Sequence, residues 1–115
     1  MSLLTKQQQK FSLMLADLIK YADSQGMGIT GGDWWRSEEE QTRLFKAGYS
    51  KVMTFGFHQR RLAVDLNIFI NDVYTADDKY YKILGDYWKS LDPDNVWGGD
   101  FLNFHDRFHY QHGRD

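Results

Sequence analysis

The chain has 115 residues, a formal net charge of −2 and no cysteine. That length suits one domain with a real core, and the charge lacks the basic footprint of a nucleic-acid binder. The missing thiols exclude disulfides, thiolate zinc sites and a cysteine nucleophile, so any metal site must draw on His, Asp and Glu, a set that suits zinc.

The N-terminal MSLLTKQQQKFSLMLADLIK has no apolar run of signal-peptide length and no small-residue cleavage site, and no segment approaches the roughly 20 apolar residues of a membrane span. The expectation is a protein that starts out soluble in the cytoplasm. Residues 5 to 25 predict an amphipathic helix, with Phe11, Met14, Leu15, Leu18, Ile19 and Ala22 at three- and four-residue spacing and Gly26 as its stop. GMGITGGDWW reads as a short strand running into a loop. Ser37 followed by Glu40 is a capping box, so a second helix starts there and runs to about Ala47, with Gly48 as its stop. Glu38, Glu39 and Glu40 suit the positive end of that helix and need no chemistry.

RLAVDLNIFI, residues 61 to 70, alternates Leu62, Val64, Leu66, Ile68 and Ile70 against Ala63, Asp65, Asn67 and Phe69, a strand with one apolar face. Asn71-Asp72 reads as a turn and Val73-Tyr74 as a short hairpin partner. Thr75 and Asp78 are expected to cap a third helix that ends before Pro93. LDPDNVWGGD reads as a loop into a histidine-rich tail. The order of elements implies a single α+β domain over residues 1–115, three helices packed with a small antiparallel sheet.

Asp65 lies mid-strand, where a carboxylate without a partner is disfavoured. An isolated Asp there points to solvent by default, but His58 lies seven residues earlier and the tail FLNFHDRFHYQHG supplies His105, His109 and His112. A strand through Phe108–His112 puts His109 and Gln111 on one face and leaves Asp106 just ahead of it. His58, Asp65 and His109 could then hold a zinc ion with one position open, and Asp106 outside the ligand set could act as base. A rival reading takes HDRFH as a variant of the helical zinc-protease motif, with His105 and His109 on one helix face.

WRSEEEQTRLFKAGYS, FHQRRLAVDL and WGGDFLNFHDRFHYQ together resemble the D-alanyl-D-alanine carboxypeptidase and L-alanyl-D-glutamate peptidase family of bacterial and phage zinc enzymes, which share a fold with the hedgehog signalling domain. The resemblance spans roughly residues 34 to 111. It implies a hedgehog-like fold, Zn2+ as cofactor, His58, Asp65 and His109 as its ligands, Asp106 as general base, and Arg36 as the group that steadies the substrate carbonyl oxygen. It implies peptidoglycan stem peptides as substrate, and a monomeric phage or prophage endolysin released to the wall of its host. His105 is given a supporting role beside the metal site and His112 none. Two departures bear on substrate preference: Gly56 stands where the family has Ser, and Arg61 where it has Gly. They also keep open a different function, a metal-stabilised binding module without turnover.

Overall fold

Eight helices and strands organise the computed structural model, which describes residues 2–34, 37–48, 57–58 and 60–113, the side chains of Glu38 and Gln41 excepted. In chain order they are α1 (Leu3–Ser24), β1 (Met27–Gly31), α2 (Glu38–Lys46), β2 (Ala63–Ile70), β3 (Val73–Thr75), α3 (Asp78–Leu91), β4 (Asn95–Trp97) and β5 (His109–His112), with a short 3-10 turn at Gly98–Asp100. Arg36 and Gly56 lie outside the described residues.

Among the described residues every pairing is antiparallel, and the sheet runs β1-β2-β5-β4 with β3 added to the far end of β2. The hairpin turn behaves as its sequence implies: Asn71 and Asp72 both take positive φ, of 50° and 66°, the left-handed pair that two-residue hairpins favour. The alternation in β2 is likewise realised. Val64, Leu66 and Ile68 are fully buried, while Asp65 and Asn67 face the other way at intermediate exposure. The apolar stripe of α1 and the Tyr81, Leu84, Trp88 stripe of α3 close the core with these residues.

Three local expectations change. The α1 cap is Ser2, whose Oγ accepts from the Thr5 amide. The α3 cap is Asp77, not Asp78: its carboxylate accepts from the Lys79 amide, and Thr75 Oγ1 accepts from the Asp77 amide. Asp78 is thereby displaced into the first helical turn and freed for another partner. And LDPDNVWGGD is not all loop, since Asn95–Trp97 pairs with β5. Ser37 does cap α2, accepting from the Glu40 amide at 3.1 Å, while the Glu40 carboxylate also receives Nε and Nη2 of Arg43.

β4 matters because of what it seats. The Trp97 ring lies on α3 at Gly85, where a Cβ would come within 2.5 Å of it. Its Nε1 donates to the Arg107 carbonyl at 2.8 Å, which fixes the turn leading into β5.

Candidate metal centre

Three ligand-type side chains converge where β2 meets β5. Asp65 and His109 are directly opposed in the ladder, and His58 is brought to them by hydrogen bonds from the Leu62 amide to the Phe57 carbonyl and from the Arg61 amide to the His58 carbonyl. His58 Nε2 lies 3.2 Å from His109 Nδ1, and each is 3.5 Å from Asp65 Oδ1. Ligands about 2.0–2.2 Å from a tetrahedral ion stand ~3.3–3.5 Å apart, so this triangle has the size that zinc requires. Among the described residues these three form the one group able to hold an ion in this way. Both histidines are buried, and His58 Nδ1 has no hydrogen-bond partner among the described residues.

The tautomer of His109 is set by a residue that sequence reasoning did not single out. Gln111 Nε2 donates to the Gly113 carbonyl at 2.8 Å, which turns Gln111 Oε1 toward His109 Nε2, 2.6 Å away. An amide oxygen only accepts, so Nε2 carries a proton, and in the neutral ring that a metal requires the Nδ1 lone pair faces Asp65 and His58. The signal for Gln111 was its place on the same strand face, two residues after His109.

The charges respond to one another. Burial would raise the Asp65 carboxyl, but contact with His109 and His58 outweighs it and holds the group below the usual carboxylate range. Burial would lower the His109 imidazole, but Asp65 above all carries it above its ordinary value. Asp106 is different: burial first, and the charge of Asp65 second, push its carboxyl up. It shares with Asp65 a cleft of about 390 Å3, which Asp33, Leu44 and Phe104 also line.

Gly98 permits this arrangement. A Cβ there would come within 2.2 Å of the Asp106 carbonyl and 2.8 Å of His109 Cβ. The Gly98 carbonyl also accepts the Asp106 amide at 3.0 Å.

The helical-motif alternative is excluded by the backbone, because residues 105–109 form no helix. His105 instead bonds Asp78 and the Gly99 carbonyl. His112 is a core residue whose Nδ1 donates to Asn95 Oδ1 at 2.8 Å. Arg61 takes φ of +57°, a conformation that glycine adopts without cost.

The sequence matches no family model and no curated protein. Solved structures do match. An L-Ala D-Glu endopeptidase, ChiX from Serratia marcescens, aligns with a TM-score of 0.76 at 18% identity over 90% of this chain and 78% of its own. A vancomycin-resistance D,D-pentapeptidase, VanY from a VanB-type cassette, in complex with Zn(II), aligns at 0.62 with 20% identity over 90% of this chain and 70% of its own. VanYB in complex with D-alanine-D-alanine aligns at 0.64 with 20% identity over 91% and 70%. This chain therefore has the α+β fold of these peptidases.

Proposed function

We propose that the chain is a zinc-dependent peptidase that cleaves the stem peptide of bacterial peptidoglycan, at an L-Ala–D-Glu or a D-Ala–D-Ala bond. The observation that carries this reading is the His58, Asp65, His109 triangle with a half-buried carboxylate, Asp106, in the same cleft as Asp65. A site built only to brace the fold gains nothing from a base beside it. The likeness to a Zn(II)-bound pentapeptidase and to an L-Ala D-Glu endopeptidase supports the metal and the substrate class.

Zinc, when bound, polarises a peptide carbonyl and acidifies water. His58, Asp65 and His109 would hold it, with His109 presented through Nδ1 because Gln111 occupies its other nitrogen. Asp106 accepts the proton of the attacking water and returns it to the leaving amine. Its raised proton affinity suits both halves of that task. Arg36 is the proposed partner of the carbonyl oxygen as charge develops there. Action on a host wall as a monomeric phage endolysin is part of the proposal and rests on the sequence resemblance.

The test is digestion of purified peptidoglycan, with and without a chelator, read by mass spectrometry of the released fragments. Fragments that vanish with chelator and return with zinc support the peptidase, and their masses name the bond. Intact peptidoglycan from protein carrying stoichiometric zinc would establish the binding module instead.

A further inference from the structure

Asp106 is bracketed by two cationic-type side chains that end on one atom. His105 Nε2 lies 2.8 Å from Asp78 Oδ1, and Arg107 Nε donates to the same oxygen at 2.6 Å. Asp78 stands in the first turn of α3. The other nitrogen of His105, Nδ1, meets the Gly99 carbonyl at 3.0 Å. Carbonyl and carboxylate both accept, so a ring nitrogen can hold either of them only as a donor.

The peptide units around Asp106 are thus tied on three sides: to Gly98 through its own amide, to Trp97 through the Arg107 carbonyl, and to α3 through both flanking side chains. None of these groups is a ligand of the metal triangle. His105, Asp106 and Arg107 all line the cleft with Asp65, and of the three it is His105 and Arg107 whose side chains end on Asp78 of α3.

We propose that His105 and Asp78, with Arg107, form a clamp that positions Asp106 for proton transfer. They are positioning residues, acting through the backbone of the turn. The proposal rests on the reading of Asp106 as the base, and it gives His105 a part in the reaction without contact to the metal.

The variants His105→Gln and Asp78→Asn test it in the zinc-loaded protein. Their side chains are 42% and 51% exposed, so neither change threatens the core. A misplaced base lowers turnover: kcat is expected to fall about tenfold in each variant, with KM within about twofold and zinc content unchanged. The double variant is expected to be no slower than the slower single one, because both changes release the same tie. Amide hydrogen exchange reads the clamp without activity, and the Asp106 amide is expected to exchange faster in both variants than in the parent. Unchanged exchange, or faster exchange with unchanged kcat, overturns the proposal. A rise in KM alone also overturns it and makes these residues substrate contacts. A parent protein that digests no peptidoglycan, yet whose variants exchange faster, overturns the peptidase reading while leaving the clamp itself standing.

Discussion

Asp65 and His109 stand opposite one another in the β2–β5 ladder, with Oδ1 of one 3.5 Å from Nδ1 of the other. Strand register sets these two residues side by side, so two of the three proposed ligands are placed by the sheet and only His58 depends on a turn. Loss of either strand ligand is therefore a loss of the site. Asp65→Ala and His109→Ala are expected to weaken zinc binding by more than the roughly 10–100-fold that loss of an outer partner costs. Competition with a chromogenic chelator measures this, and an affinity within tenfold of the parent would place the ion elsewhere.

Gln111 is such an outer partner. Gln111→Leu removes the acceptor that keeps the His109 proton on Nε2, and zinc affinity is expected to fall about 10–100-fold with the ligand set intact. Nitrogen NMR of the His109 ring should then show a mixture of tautomers in the metal-free variant. A single Nε2–H tautomer in that variant contradicts the assignment.

The metal-free and zinc-loaded proteins should respond oppositely to pH. Asp65 titrates below its ordinary value, so its contribution is present above pH ~4 and lost as pH falls through the lowered value. His109 titrates above its ordinary value, so its contribution is present below pH ~6.5 and lost as pH rises through the raised value. Metal-free protein thus has both only in mildly acid solution, and its Tm is expected to drop toward pH 8. Zinc needs the deprotonated ring, so the stabilisation it confers is expected to grow over the same range. Thermal scans of both forms from about pH 5 to 8 decide the matter, and parallel curves contradict it.

Asp106→Asn separates catalysis from stability. A carboxyl whose proton affinity is raised by burial is one whose charge the fold disfavours. Replacing it is expected to raise Tm at neutral pH, while cutting kcat by about 10²–10⁴-fold with zinc retained. Parental turnover in this variant would remove Asp106 from the reaction.

Two backbone positions carry opposite expectations. Gly98→Ala drives a methyl into the Asp106 carbonyl and His109, and a cost of at least ~1–3 kcal/mol is expected, with weaker zinc binding. Arg61→Gly relieves a left-handed φ and is expected to leave stability unchanged or raise it by up to ~1 kcal/mol. Denaturant titration measures both, and a clear loss in Arg61→Gly would show that its side chain outweighs the strain.

Much of this fold was legible because it is locally encoded. The α1 stripe, the β2 alternation and the Asn71-Asp72 turn each follow from a period or a turn type that a short window contains. The triangle was legible as residue types, since Asp65 in mid-strand needs a reason. What escaped depends on distant partners. β4 has three residues and is a strand only because β5 lies beside it. Gly98 looks like any loop glycine until the tail folds over it. His105 pairs with Asp78, 27 positions away, and no spacing rule announces that.

His58 and His109 stand 51 positions apart in the chain. An ion gripped by both is a cross-link, closing a loop as long as many disulfides do. In the chain-entropy picture a link of that span restricts the unfolded ensemble by about 4 kcal/mol. A chain without cysteine thus carries, in the residues of its candidate metal centre, the means to staple residue 58 to residue 109.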